Sequence, residues 1–446
     1  MKHKYQKIEF YHPGNVDQIE QLHKFPRSFL KDMKRVMQVF PFRTNNYVIN
    51  ELIDWDMGMD DPMFRLNFPH PEMMLPKHHR MLSAVKNADP ETKMNTVNAI
   101  RMSLNPHPAG QKDNVPTLGN EKVKGIQHKY AETVLVFPSE GQTCHTYCTF
   151  CFRWPQFIGI NDLKFATDES KTFQQYIKQH TEITDILLTG GDPMVMSADL
   201  LRLYIEPFLS TEFEHIKAIR IGSKSLAYWP FRYTTDPDAK QVLDLFEQVV
   251  RSGKHLAFQA HFSHPAELKT PHVKKAIKNI RSTGAVIRCQ SPVLNHINNS
   301  AETWHEMLNL EYNLGLVPYY MFVARNTGAH HYFAVPLAQA YYIYSDVIRK
   351  VSGLCKTMRG PSISTRQGKV KIDGVTRISG KKVFVLSYLE SQQVEWVNRP
   401  FFAKFCENAT WLDELQPAFD EHNFYFIPKP VQIKTRLRRK KQSQTS

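Results

Sequence analysis

The feature that most constrains this chain is a strict alternation of short apolar runs and helical stretches that begins near residue 132. "ETVLVF", "TDILLTGGD", "IKAIRIGS", "HLAFQAHF", "AVIRCQS" and "VPYYMFV" are β-branched or aromatic segments of strand length. Between them lie "ESKTFQQYIKQH", "SADLLRLYIEPFL", "DAKQVLDLFEQVV", "HVKKAIKNIRSTG" and "SAETWHEMLNLEY", with "PLAQAYYIYSDVIRKVSG" after the sixth. Each parallel return needs a long crossover, so six such units predict an α/β fold with a parallel sheet. Six are too few to close a standard eight-stranded barrel, and the expected architecture is an open, partial (βα)6 TIM-like barrel over residues 126–354.

Unusual polar residues gather where each strand ends. Cys144, Cys148 and Cys151 follow the first, Gly190, Gly191 and Asp192 the second, and "GSKS" the third; His261 closes the fourth, Gln290 the fifth, and Arg325 follows the sixth. Sites in such folds are built on that edge. The flanks are less regular. Residues 1–125 suggest a mostly helical N-terminal region broken by Pro and His, and 355–433 read as short strands and loops that cap the barrel. Residues 434–446 form a basic tail with six positive charges and no negative one, expected to be disordered.

Three of the six cysteines fall within eight positions at C-x3-C-x2-C. A disulfide would strand one of them. Three thiolates can hold three corners of a [4Fe-4S] cube and leave one iron open to a ligand; a zinc site completed by His145, or incidental buried cysteines, are the plainer alternatives. Cys289, Cys355 and Cys406 are scattered singly, as in a reducing compartment. Apolar residues make up 42% and charged ones 22%, ordinary for a globular chain, and no run approaches the roughly 20 apolar residues of a membrane span. The expected location is the cytoplasm. The net charge of +14 leans on the tail, and its basic residues carry no interleaved aromatics, so nucleic acid is not the expected partner.

The cysteine spacing, the aromatic before Cys151 and the position after the first strand resemble radical S-adenosylmethionine enzymes. "HKYAETVLV", "CHTYCTFCFRW", "LLTGGDP", "IRIGSKS", "AHFSHPAEL", "CQSPVLNHIN" and "VPYYMFV", in that order, resemble the lysine 2,3-aminomutase family from roughly Gln127 to Lys369. The resemblance implies a cluster on Cys144, Cys148 and Cys151, with Gly190, Gly191, Asp192, His261 and Gln290 near S-adenosylmethionine. It also implies pyridoxal phosphate stacked on Tyr130 and tethered by a lysine. The best candidate is Lys369, three residues beyond the family offset, where Arg366 falls instead.

Departures bear on the substrate. Family arginines near the pyridoxal phosphate become Lys129 and Thr133, which soften phosphate binding. Two carboxylates that hold the substrate ammonium in the lysine enzymes correspond to Arg325 and Arg359, so a lysine side chain would be repelled and an anionic one favoured. Arg153 matches the arginine that grips the α-carboxylate. The family's C-terminal zinc cysteines are absent. The resemblance thus implies a 2,3-aminomutase-like radical enzyme acting on a free amino acid other than lysine, fed electrons by a donor such as flavodoxin or ferredoxin, with a homo-oligomer left open. A radical enzyme without pyridoxal phosphate (an epimerase, dehydrogenase or modifier) and an iron-sulfur regulatory protein are the alternatives.

Overall fold

The computed structural model describes residues 6–106, 113–160, 163–167 and 170–427; the basic tail lies outside them. An eleven-stranded sheet organises the chain, with its strands in sequential order. We number them β1 (Ile126–Tyr130), β2 (Thr133–Val136), β3 (Asp185–Leu188), β4 (Ala218–Ser223), β5 (His255–His261), β6 (Val286–Val293), β7 (Val317–Val323), β8 (Arg359–Ser364), β9 (Gly368–Ile378), β10 (Lys381–Ser391) and β11 (Pro400–Lys404). β2 through β8 run parallel; β1 pairs antiparallel with β2 at one edge, and β9 to β11 form an antiparallel run at the other.

Six helices supply the crossovers: α1 (Ser170–Gln179), α2 (Ala198–Ile205), α3 (Ala239–Arg251), α4 (Pro271–Ser282), α5 (Ala301–Asn313) and α6 (Leu337–Lys350). Their starts are written locally. Ser197, Thr270 and Ser300 each accept a bond from a backbone N–H in the first turn of α2, α4 and α5, and Pro271 follows its cap at a position that needs no donor.

The two-residue period of a strand then sorts side chains onto two faces. On β4, Ile219 and Ile221 are buried in the helix-facing core while Arg220 and Gly222 line a cavity; on β5, Leu256, Phe258 and Ala260 are buried and Gln259 and His261 line the same cavity. The mixed α/β class expected from the alternation is present. The expected count of six parallel strands rises to seven, because β8 pairs with β7 in parallel. Residues 359–404, anticipated as the strands of a separate cap, extend the main sheet and enclose a second apolar core around Ile363, Leu386 and Phe401.

The ends of the sheet approach each other. Lys129 on β1 donates to Ser364 at the end of β8 (3.2 Å), and Gln392, just past β10, donates to the carbonyl of His128. This curvature brings residues from β1, β7, β9 and β10 around one space. No helix among the described residues is long and apolar enough to cross a membrane.

Glu311 on α5 is buried beside Cys289 on β6, and burial holds its carboxyl up at about 8, with the bond to Cys289 a smaller opposing effect. A free carboxyl titrates near about 4.3, so the folded state holds a proton that the unfolded chain has lost. Its contribution to stability is complete below about pH 4 and is lost as pH rises towards about 8. Glu311→Gln is expected to flatten that decline in melting temperature, measured by circular dichroism across the range.

Candidate functional site

A cavity of about 300 Å3 sits at the strand ends. Its wall holds Cys144, Cys148 and Cys151 from the loop after β2; Gly190, Gly191 and Asp192 after β3; His261 on β5; Gln290 on β6; Arg153; Arg325 after β7; and Tyr130, Lys129 and Lys369.

The cysteine loop is pinned from outside the sheet. Arg43 donates to the Thr143 hydroxyl at 2.7 Å and to the Cys144 carbonyl at 3.2 Å. The fully buried Asn45 amide donates to the His145 carbonyl, the Thr146 hydroxyl and the Tyr228 carbonyl, at 3.0–3.2 Å. The backbone N–H groups of Tyr147 and Thr149 donate in turn to the carbonyls of Arg43 and Leu66. The N-terminal region therefore braces the loop that forms one wall of the site. The sequence offered one hint of this, the polar "RTN" after the apolar-aromatic "VFPF".

Gly190 and Gly191 serve the same loop. A Cβ on Gly191 would lie 2.3 Å from the Thr143 carbonyl oxygen, and one on Gly190 (φ +148°) would lie 2.2 Å from the Gln142 amide. Only glycines let the β3 loop close against the start of the cysteine run. Asp192, expected to accept from a ligand amine, already accepts from the Met194 N–H, the Ser223 hydroxyl and the Lys224 N–H at 2.7–3.0 Å. Burial lifts its carboxyl to about 6 against those bonds. Its main observed work is to tie the loops after β3 and β4 together.

The three thiols lie in the wall without a disulfide. Burial pushes each up, Cys151 to about 12, and the neighbouring thiols add to the rise for Cys144 and Cys151. As thiolates they need a cationic partner. Among the described residues no three His, Cys, Asp or Glu side chains group as ligands of a single ion. A cube suits this spacing, since each thiolate then takes a different iron. His145, the zinc alternative's fourth ligand, is held neutral by burial, and its Nδ1 has no partner among the described residues.

Across the cavity, Lys369 faces Tyr130, its Nζ 4.7 Å from the ring centre. Arg366, the residue at the family offset, is exposed near Asp113 and lies outside the cavity wall. Lys129 is buried, with Arg325, Lys369 and Arg153 among the cations that lower its affinity for a proton after burial itself. Arg153 and Arg325 both approach one ring, Phe152, at 5.0 and 4.9 Å, and burial lowers both to about 10.

Arg359 is a correction. It was expected beside Arg325, but it is level with Tyr320 at the start of β8, whereas Arg325 lies five residues further along, past the end of β7. Five residues of strand span about 16 Å, so the two side chains leave the sheet at different levels, and Arg359 is not among the residues lining the cavity. Arg359 lies 4.5 Å from the ring centres of both Tyr319 and Tyr320.

Several wall residues went unnoticed in the sequence. Arg220 on β4 donates to Asp185 (2.7 Å) and Thr133 (2.9 Å). Gln259 on β5 is buried with its amide nitrogen lacking a partner among the described residues, a donor left for a ligand. A charged or amide residue inside an apolar run was the available signal in both cases.

No family model matches the chain. An Aquifex aeolicus protein provisionally named L-lysine 2,3-aminomutase is 32% identical over 404 residues, covering 90% of this chain and 94% of that one. The chain belongs to the lysine 2,3-aminomutase family of radical S-adenosylmethionine enzymes. It is an isomerase of that type. More distant members of this aminomutase family include L-lysine 2,3-aminomutase of Acetoanaerobium sticklandii (28% identical, 58% of this chain and 59% of that one) and glutamate 2,3-aminomutase of Clostridioides difficile (25%, 55% of each). Among solved structures, a radical S-adenosylmethionine methyltransferase from Sphaerobacter thermophilus aligns over 53% of this chain and 67% of that one, with 13% identity and a TM-score of 0.38.

Membership implies a [4Fe-4S] cluster and S-adenosylmethionine, and the trio of thiols fits them, in one cavity lining with the Gln259 amide that has no partner among the described residues. Asn45→Ala removes the donor from three oxygens, of which the His145 carbonyl still accepts from the Thr146 hydroxyl, at a cost of about 1–3 kcal/mol for each left with neither partner nor water. The expected result is protein that folds but retains less than half the wild-type iron after anaerobic reconstitution, measured by iron analysis and visible absorption.

Proposed function

We propose that this chain is a 2,3-aminomutase acting on an amino acid with an anionic side chain. One observation carries the reading: Lys129, Arg153 and Arg325 crowd a single cavity, and among the described residues none has a carboxylate in ion-pair contact. Like charges so placed are tolerated when an anionic ligand neutralises them. A lysine side chain would add a fourth positive charge, at a cost of about 4 kcal/mol per contact at 4 Å in a partly dry site. An acidic amino acid offers a carboxylate at each end, one for Arg153 and one for Arg325, each a match for a guanidinium fork. The glutamate-acting relative shows that the family extends to acidic substrates.

The substitution at Arg359 is not part of this pairing, because that side chain is not among those lining the cavity, although its charge reaches Lys369 in the wall. Recognition rests on Arg325 with Arg153. Tyr130, Lys369 and Lys129 fit pyridoxal phosphate as ring, amine and phosphate partner. When bound, the cluster with S-adenosylmethionine supplies a 5'-deoxyadenosyl radical, and pyridoxal phosphate supplies a delocalised carrier for the migrating amino group. The chain's own residues fix the substrate: Arg153 and Arg325, both within reach of the Phe152 ring, hold its ends. Leu135, Leu187 and Phe322 line the cavity and limit the water that could quench a radical.

The sequential parallel strands support a partial-barrel description of β2 to β7. A cytoplasmic setting and a small electron-transfer protein as partner follow from the chemistry proposed.

Anaerobic reconstitution with reductant and S-adenosylmethionine, followed by a screen of α-amino acids for β-isomers, tests the reading. Acidic substrates are expected to react and lysine to fail; the reverse order overturns it. Arg325→Ala is expected to raise KM for the acidic substrate about 10- to 100-fold, the loss of one charge-assisted contact. Borohydride reduction of protein loaded with pyridoxal phosphate should leave a phosphopyridoxyl group on Lys369, found by peptide mass analysis, and its absence favours the radical enzyme without that cofactor.

A further inference from the structure

The Lys369 amine is held by a device that its role as carrier does not by itself require. Its Nζ donates to Glu390 Oε2 at 2.6 Å, and the other oxygen of that carboxylate accepts from the Tyr320 hydroxyl, also at 2.6 Å. The ammonium also lies 4.7 Å from the Tyr130 ring centre and 4.6 Å from that of Tyr320, an aromatic cage on two sides. Lys369 and Glu390 are directly opposed in the β9–β10 register. Gly368 makes that closeness possible: at φ +155°, a Cβ there would stand 2.1 Å from the Glu390 carbonyl oxygen.

We propose that Glu390, braced by Tyr320, is the positioning residue that parks Lys369 in the cavity wall and sets the pH at which its amine becomes free to react with a carbonyl ligand. The inference rests on the reading of Lys369 as the carrier lysine. The charged groups facing Lys369 are Glu390 on β10, Arg220 on β4, Arg359 on β8, Lys129 on β1 and Asp185 on β3. Asp185 is engaged by the Arg220 guanidinium, which leaves Glu390 as the carboxylate bonded to the amine. Burial and three cations all favour the neutral amine, and Glu390 alone opposes them at contact distance. Burial by itself would raise the Glu390 carboxyl, but Lys369 and the Tyr320 hydroxyl reverse this and hold it at about 2, so it stays ionised at any working pH.

Reaction with an aldehyde requires the ammonium to release one proton to solvent; the carbon–nitrogen bond then forms with loss of one water. Glu390 delays the first event and aims the amine for the second. Tyr130, already in place beside the amine, marks where a planar ligand would lie.

The test uses the full chain without ligand. Acetic anhydride acylates only free amines, so the extent of acetylation at Lys369 across a pH series, read by peptide mass analysis, reports the midpoint at which the proton leaves. Glu390→Gln is expected to move that midpoint down by about one to three pH units. Glu390→Asp, which withdraws the charge by one methylene, is expected to fall between Gln and wild type. Equal midpoints in wild type and Glu390→Gln overturn the proposal; if the Gln variant does not fold, equal midpoints in wild type and Glu390→Asp do so. In a parallel series, borohydride trapping of pyridoxal phosphate on the same variants should show the same displacement. Failure of wild type to trap the cofactor would remove the carrier reading, while the acetylation series would still decide the role of Glu390.

Discussion

The Asn45 amide is the contact on which the site depends. It is sealed from water and joins three oxygens from the cysteine loop and the segment after β4, while its own oxygen accepts from the Val48 N–H. A flexible loop of closely spaced thiols has many arrangements, and few suit a rigid inorganic cube. Fixing the backbone on both sides of Cys144 removes most of them before any metal arrives. Gly191 performs the matching task from the opposite side by letting the β3 loop press on Thr143. The thiols are thus clamped between a segment that precedes the sheet and a loop that belongs to it.

Charge governs the rest of the cavity. Positive groups enter from β1, from the cysteine loop, from β4 and from beyond β7, and two of the six cations are satisfied locally, Arg220 by Asp185 and Lys224 by Glu267. Lys369 has its own carboxylate on β10. The remainder, Lys129, Arg153 and Arg325, meet hydroxyl and aromatic groups and have no carboxylate in ion-pair contact among the described residues. A cavity of this kind selects for anions before any shape is compared, and the field it projects through its mouth also speeds their arrival.

Much of this was legible in the residues. Six strand and helix units and the three thiols announced themselves through period and spacing, because both are local patterns. Arg220 and Gln259 were equally local, a polar residue at an inward position of an apolar strand, yet each was lost in its hydrophobic surroundings. Arg359 went astray for another reason: its place relative to Arg325 depends on the register between β7 and β8, which no single segment encodes. The bonds from Arg43 and Asn45 to a loop about 100 residues later are long-range in the same sense. The extension of the sheet by β8 to β11 was hidden because short strands read alike whether they cover a sheet or join its edge.

Lys369 and Glu390 come from one antiparallel hairpin, whereas the thiols come from the loop after β2. A pair of strands can slip together by two residues and keep every side chain on its original face. Reach of the amine across the cavity is therefore adjustable independently of the metal half, like the movable jaw of a vice whose fixed jaw holds the cluster. Insertions ahead of this hairpin, such as the loop that carries Arg366, offer a route by which relatives could fit molecules of different length between the same two jaws.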